Sequence, residues 1–313
     1  MKRKMNTPLL SIIMPAYNTE LYIQEALESI LNQSLKSIEI IVVDDGSSDS
    51  TVSIVKQLKD HDCRIKLYIM PENQGQSMAR NMALRYARGK YIYFMDSDDR
   101  LMYSDALELA VEKCELANLE FLFFDADIFY MDRSASPLTW KYQRTARYDE
   151  QTVWKGLELM KDMLVYGTWR AAPWLMIVQR ELLQNNKLDF YPSIIHEDEL
   201  FMAKLMPEVQ RAGCLRRSLI AHRVHTSSTM GRHFSIRNMV CYLTVVDELK
   251  KNEGDISAAY NQVLELYIRY TLNPVIRTAR VLSFKEKIEI LRMICKRDYI
   301  KYLTVRSLVR FMI

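Results

Sequence analysis

An α/β fold, with a mostly parallel sheet flanked by helices and a helical C-terminal extension, follows from three features of the sequence. Four short runs of apolar and β-branched residues alternate with three segments whose apolar positions recur every three or four residues. Each apolar run stops at a polar loop. From Phe234 onward the pattern reads as helix. Strands that alternate with helices imply right-handed crossovers and parallel neighbours, with the strand-end loops gathered on one edge of the sheet.

Leu9 to Met14 (Leu-Leu-Ser-Ile-Ile-Met) has strand length and closes in Pro15-Ala16-Tyr17-Asn18. Ile23, Ala26, Leu27, Ile30 and Leu31 then share one helical face. Ile38 to Val43 is a second β-branched run, and Asp44-Asp45-Gly46-Ser47-Ser48-Asp49-Ser50-Thr51 after it supplies caps for a helix with Val52, Val55 and Leu58 inward. Ile65 to Met70 makes a third strand, stopped by Pro71. Asn73-Gln74-Gly75 opens a helix with Ala79, Met82, Ala83, Tyr86 and Ala87 inward, and Gly89 is expected as its left-handed C-terminal cap. The fourth strand, from Tyr91, runs into Asp96-Ser97-Asp98-Asp99.

Phe121 to Phe124 reads as a fifth strand with Asp125 or Asp127 at its end, and Ser134 to Arg147 as a loop or short hairpin. Trp154 to Tyr166 has helical spacing, and a short apolar strand reaches Val178. Trp169 and Trp174 fit either a ligand-stacking role or partial burial in the core. In His196-Glu197-Asp198-Glu199 the acids occupy the first turn of a helix continued by Leu200, Phe201, Ala203 and Leu205, where the helix dipole favours them. Leu219 to Thr229 is a strand and loop.

Bulk properties narrow the function. A chain of 313 residues, 49% hydrophobic, holds one large domain and an extension. A net charge of +4 does not suggest a nucleic-acid binder. The five cysteines contain no Cys-x-x-Cys pair, so neither a zinc site nor a disulfide framework is expected and the thiols suit a cytoplasmic compartment. Leu9 to Met14 is too short for a signal-peptide core, and no apolar run has the length of a membrane span. Residues 284–313 carry eight Lys/Arg against three Asp/Glu, and so hold the whole basic excess. With an apolar stripe of Phe284, Ile288, Leu291 and Cys295, they read either as helices packed on the preceding domain or as an amphipathic attachment to an anionic membrane surface.

Chemistry concentrates at Asp96 and Asp98. Two apart on an extended chain, they point the same way and repel unless a cation lies between them. Mn²⁺ or Mg²⁺ would suit such oxygen ligands and leave positions for phosphate oxygens. An acidic loop that merely caps the next helix is the plainer alternative. A carboxylate pair after the second strand as well favours the site reading. Gly-x-Gly-x-x-Gly and Gly-Lys-Ser/Thr are both absent, so a bound nucleotide is not held by a glycine-rich loop.

Ser11-Ile12-Ile13-Met14-Pro15-Ala16-Tyr17-Asn18, Val42-Val43-Asp44-Asp45-Gly46-Ser47-Ser48-Asp49, Asn73-Gln74-Gly75 with Ala79-Arg80-Asn81, and Met95-Asp96-Ser97-Asp98-Asp99 together resemble family 2 glycosyltransferases with the GT-A fold. The resemblance is tight over residues 1–130 and looser to Thr229. It implies a GT-A catalytic domain over 1–230, split into a nucleotide-binding half (1–130) and an acceptor half (131–230), with a basic helical extension over 231–313. It also implies inverting transfer of a sugar from a nucleotide diphosphate donor, with a UDP-sugar expected, to a sugar or lipid-linked sugar in cell-surface polysaccharide synthesis. By the same resemblance Pro15 and Tyr17 line the base and ribose pocket, Asp45 accepts from the base, Asp96 holds the ribose, Asp98 binds the metal and Arg80 braces the donor loop. Arg223 is expected to reach the diphosphate, His225 to be a second metal ligand, and Asp198, paired with Glu197, to be the catalytic base. Asp44 and Asp99 fit either a site or a capping role, and His196 is expected to position its turn. A lipid-linked acceptor would place the protein in the cytoplasm, peripheral on the inner face of the cell membrane.

Two other classes are weighed against this one. A sugar-phosphate nucleotidyltransferase needs a glycine-rich basic loop after its first strand, which Pro15-Ala16-Tyr17-Asn18 does not offer. A non-catalytic nucleotide-sugar binding module would be favoured by loss of Asp98 or Asp198, and both are present.

Overall fold

The computed structural model describes residues 7–130, 141–224, 234–251 and 257–313. The chain divides into two compact units. One comprises Met1–Gly156, Ala172–Ser193 and Glu208–Thr226, and the other Leu157–Ala171, Ile194–Pro207 and Ser227–Ile313. The units interleave along the chain, so two segments from the expected acceptor half are grouped with the C-terminal helices.

The first unit is built on an eight-stranded sheet of β1 (Leu10–Ala16), β2 (Ile38–Asp44), β3 (Ile65–Ile69), β4 (Tyr91–Phe94), β5 (Arg100–Leu101), β6 (Phe121–Tyr130), β7 (Met176–Gln179) and β8 (Ala212–Val224). Their order is β3-β2-β1-β4-β7-β6-β8-β5. The β3-β2-β1-β4 block is parallel, β7 runs antiparallel to both β4 and β6, β8 is parallel to β6, and β5 is antiparallel to β8. Every residue of β1 and β2 is buried, which explains why these strands read as nearly continuous apolar runs, interrupted by Ser11 and Glu39, rather than alternating ones. Leu10, Ile12, Ile13 and Met14 are fully buried and contribute about 1.5–3 kcal/mol each.

The parallel strands are linked by α1 (Ile23–Leu31), α2 (Thr51–His61) and α3 (Gln76–Tyr86). α1 buries Ile23, Ala26, Leu27 and Ile30, the face that its spacing predicts. α4 (Ala106–Leu116) is absent from the sequence-based outline, and it buries Leu107, Ala110, Val111 and Cys114. β6 runs six residues past the expected end at Phe124. It pairs with β8 as far as Tyr130 opposite Val224, with register shifts around Asp125. Asp125 therefore lies inside the strand, where it accepts from the Arg144 and Thr145 backbone N–H groups and the Thr145 hydroxyl. The loop expected from Ser134 lies outside the described residues as far as 140, and Thr145–Arg147 is a 3₁₀ turn.

Gly89 is not the left-handed cap expected of it. α3 ends at Ala87, and Gly89 instead passes against β1, where a Cβ would lie 2.5 Å from the Ser11 amide nitrogen. Its N–H donates to Ser11 Oγ at 2.8 Å, and Ser11 Oγ donates to Glu39 Oε1 at 2.6 Å. Glu39 also accepts from Lys66 Nζ and from the Arg88 N–H at 2.7 Å. Burial raises the Glu39 pKa, but these partners outweigh it and hold the carboxyl below its ordinary value.

The second unit is helical, with α7 (Glu197–Leu205), α8 (Ile236–Lys250), α9 (Ala258–Thr278), α10 (Phe284–Lys296) and α11 (Val305–Met312). α5 (Gly156–Val165) lies almost wholly in it, whereas α6 (Arg180–Asn185) belongs to the first unit. Ser283 and Glu286 form a reciprocal cap at the start of α10. α10 buries Lys287, Ile290 and Ile294, and the expected stripe differs: Phe284 and Cys295 are exposed, while Ile288 and Leu291 are half-buried. No described helix is long and apolar enough to cross a membrane.

Candidate active site

The parallel registers place Ala16 opposite Asp44, Asp44 opposite Ile69, and Ile13 opposite Phe94. The polar loops after β1, β2, β3 and β4 therefore share one edge of the sheet, where the crevice beyond strand carboxyl ends holds ligands in such folds. Pro15 is buried at the end of β1, and Tyr17 just beyond is 48% exposed. Asn18 ties the first two loops together. Its N–H donates to Ser47 Oγ at 2.9 Å and its Oδ1 accepts from the Ser48 N–H at 2.9 Å.

Asp45 is buried and clamps the β3–α3 loop. Oδ1 accepts from the Gln74 N–H at 2.7 Å and Oδ2 from the Gly75 N–H at 2.8 Å. Burial raises its pKa, and the neighbouring Asp44 charge adds to that against the two N–H donors. Asp44 is itself buried and bonds the Ser47 N–H at 3.0 Å, which gives it a turn-capping role. Gly75 has φ 91°, a conformation that glycine adopts without strain, and it starts α3.

The first turns of α3 supply the cation for the acidic loop. Arg80 is buried, lies 5.0 Å over the Phe190 ring and donates from Nη2 to Asp96 Oδ1 at 3.0 Å. Gln76 Nε2 reaches the same oxygen at 2.9 Å. Burial pushes the Asp96 carboxyl up, Arg80 pulls it down and Asp98 pushes it up again, with a net rise. Asp99 is fully buried. It meets His222 Nδ1 at 3.0 Å through both oxygens and accepts from the Arg223 N–H at 2.8 Å. Burial raises Asp99 to about 6 against the pull of His222. The His222 pKa is lowered by burial and raised more by Asp99 and its neighbours.

Arg223 does not project from this edge as expected of a diphosphate ligand. Its side chain is 4% exposed, its Nε donates to the Asp98 carbonyl at 2.7 Å and its Nη2 pairs with Glu25 Oε2 at 2.5 Å. Its guanidinium lies over the Tyr22 and Phe129 rings, 4.8 and 4.6 Å from their centroids. Asp98 is half-buried. His225, the other expected metal ligand, lies outside the described residues. Among the described residues no three His, Cys, Asp or Glu side chains form a metal cage. Asp98 still fits Mn²⁺ or Mg²⁺ as a single carboxylate donor. Such ions take hard oxygen donors, use one or two protein carboxylates, and complete their shell with water and substrate phosphates.

Neither tryptophan offers a sugar platform. Trp174 is buried and stacks on His222 with centroids 4.6 Å apart and planes at 12°. Trp169 is buried and donates its indole N–H to Glu199 at 3.1 Å.

In the second unit, Glu197 and Asp198 begin α7, Glu197 buried and Asp198 half-buried. His196 caps the helix in the left-handed region at φ 72° and stacks on Tyr242 at 4.0 Å. Burial lowers its pKa to about 4, so it is neutral at pH 7 and serves as a positioning group. Glu199 is the residue that sequence reasoning passed over. It accepts from Trp169 Nε1 and from Tyr267 Oη at 2.9 Å, and burial raises its pKa against those two bonds. That clamp fixes the turn that carries Asp198.

Comparison with known proteins agrees with this geometry. The family model for glycosyl transferase family 2 matches residues 11–159. An uncharacterized glycosyltransferase of Haemophilus influenzae is 35% identical over 209 residues, covering 66% of this chain and 76% of that protein. The minor teichoic acid biosynthesis protein GgaB of Bacillus subtilis is 27% identical over 265 residues, covering 83% of this chain and 28% of that one. The fold matches that of S. aureus TarS 1–349, solved with UDP-GlcNAc, with a TM-score of 0.74 and 20% identity over 97% of this chain and 84% of that chain.

Proposed function

The chain belongs to glycosyltransferase family 2, with the GT-A fold, and from that premise we propose that it is a metal-dependent, inverting transferase acting in cell-surface polysaccharide synthesis. It takes a sugar from a nucleoside diphosphate, a UDP-sugar being the expected donor, and passes it to a hydroxyl of a glycan or lipid-linked glycan. The UDP-GlcNAc bound by TarS and the teichoic acid role in the name of GgaB support the donor and acceptor classes. The observation that carries the reading is the placement of Asp45, Asp96 and Asp98 just beyond the ends of β2 and β4, the two strands that flank β1 in parallel, on one edge.

Pro15 and Tyr17 line the base and ribose pocket. Asp45 accepts from the base N–H with the lone pair left on an oxygen that already holds Gln74 or Gly75. Asp96 spends Oδ1 on Arg80 and Gln76 and offers Oδ2 to the ribose hydroxyls. Asp98 and His225 would hold Mn²⁺ or Mg²⁺, which would supply positive charge for the departing diphosphate. Arg223 serves the donor by fixing the Asp98 backbone. The acceptor hydroxyl attacks the anomeric carbon opposite the leaving group. The bond to the diphosphate oxygen breaks with its electron pair, and Asp198 takes the hydroxyl proton as attack develops. Glu197 and the end of α7 keep that carboxylate in place. The protein works in the cytoplasm, at the inner face of the membrane that carries its acceptor.

Incubation with a panel of nucleotide sugars plus Mn²⁺ tests the reading. One donor is expected to bind and to hydrolyse slowly without acceptor. A panel on which nothing binds, with or without metal, would sink it.

A further inference from the structure

α11 exposes apolar side chains where a solvated helix would place polar ones. Ser307 and Phe311 are its buried residues. Val305, Val309 and Met312, at i, i+4 and i+7, form a row that is 77%, 51% and 49% exposed. The 3₁₀ turn Ala279–Val281 packs against α11 and adds Val281, while Phe284 follows at the start of α10; both are largely exposed. Cations accompany these side chains. Arg306 and Arg310 lie four apart on α11, and Arg277 of α9 donates to Ser307 Oγ at 3.3 Å. Burial lowers the Arg277 pKa, and the like charges of Arg310 and Arg306 lower it further, so the three guanidinium groups share one field. α11 has no Asp or Glu, and among the described residues none of Arg277, Arg280, Arg306 and Arg310 has a carboxylate partner.

The charge selects the occupant. A second copy on a two-fold axis would bring the same arginines together and repel. A soluble polyanion would use the arginines and leave the valines in water. A bilayer with anionic headgroups meets both needs, with phosphates at the level of the guanidinium groups and acyl chains beneath the apolar row. We propose that the exposed face of α11, with Val281 and Phe284, is the surface through which this protein rests on an anionic membrane. The inference rests on the peripheral location proposed above and names the face responsible for it.

Flotation of the full chain with phosphatidylcholine vesicles, with and without phosphatidylglycerol, tests it. Wild type is expected to float with the anionic vesicles only, and less in high salt. Arg306→Ala with Arg310→Ala is expected to lower partition about 25-fold, at about fivefold for each cation near the surface. Val305→Gln with Val309→Gln is expected to lower it about tenfold or more. All four positions are exposed, and thermal unfolding of each variant checks the fold. Absence of flotation, equal flotation with neutral lipid, or variants that bind like wild type would overturn the proposal. A wild-type dimer in sedimentation that the valine variant dissolves, with no vesicle binding, would assign the face to a second copy. UDP calorimetry on the same samples separates the two readings, because vesicle binding without nucleotide binding would keep the membrane face and remove the transferase mechanism.

Discussion

Asn in place of Asp45 separates a loop clamp from a nucleotide ligand. In the wild type both carboxylate oxygens receive backbone N–H groups, at 2.7 and 2.8 Å. Asn keeps one oxygen and turns an NH₂ toward the other N–H, so one charge-assisted bond is lost and a buried donor goes unmet. A bond to a charged group contributes about 1.5–3 kcal/mol, and an unmet buried donor costs about 1–3 kcal/mol. Burial already strains the Asp45 charge, so removing that charge returns part of the loss. We expect a net destabilisation near the bottom of those ranges, about 2 kcal/mol in urea unfolding at pH 7.5. If the carboxylate also accepts from the base, UDP binding should weaken by a further 1.5–3 kcal/mol, roughly 10- to 150-fold. Calorimetry with UDP and Mn²⁺ on the folded variant reads that number. A stability loss with UDP affinity held within about twofold would make Asp45 a clamp only. No loss of either kind would refute the hydrogen-bond geometry itself.

Asp98→Asn should abolish metal-dependent binding of UDP while leaving the unfolding midpoint nearly unchanged, and calorimetry with and without Mn²⁺ reads it. Asp198→Asn should retain donor binding and lower turnover by about 10²–10⁴; a near-normal rate would pass the role to Glu197 or another group. Gly89→Ala should destabilise the fold by about 1–3 kcal/mol, because its methyl meets β1 backbone rather than a movable side chain. Glu39→Gln should cost most near neutral pH. The lowered Glu39 pKa contributes stability that is complete above the ordinary glutamate value and lost as pH falls through the folded one. The gap from wild type in urea midpoints should therefore narrow below about pH 4.

The parallel half of the sheet was legible because burial on both faces writes β1, β2 and β4 as nearly continuous apolar runs. β6 was legible only as far as Phe124. Asp125 and Asp127 look like a loop, and only the partners brought by residues 143–145 and by Ser218 let them stay in a strand. The spacing of Leu107, Ala110, Val111 and Cys114 carries the signal for α4. α10 shows the limit of periodicity. Phe284, Ile288, Leu291 and Cys295 satisfy the helical repeat as well as Lys287, Ile290 and Ile294 do, and the sequence does not say which row meets a neighbour. Glu199 was hidden for a similar reason, since its partners Trp169 and Tyr267 lie 30 and 68 positions away.

The flanking members of the acidic triplet are each tied to another element. Asp96 is held by Arg80 from α3, and Asp99 by His222 and the Arg223 N–H from β8. Between them Asp98 is fixed through its carbonyl, by the Arg223 side chain. The flanking acids thus have their own cations, and the backbone of the middle residue is located by Arg223. Trp174, stacked on His222, buries that anchor, which accounts for a tryptophan here without any sugar to stack on. Asp99→Asn should therefore disturb the loop through His222 and Arg223, whereas Asp98→Asn keeps the carbonyl bond to Arg223. The division of labour follows from partners in α3 and β8, which the spacing Asp-x-Asp-Asp does not contain.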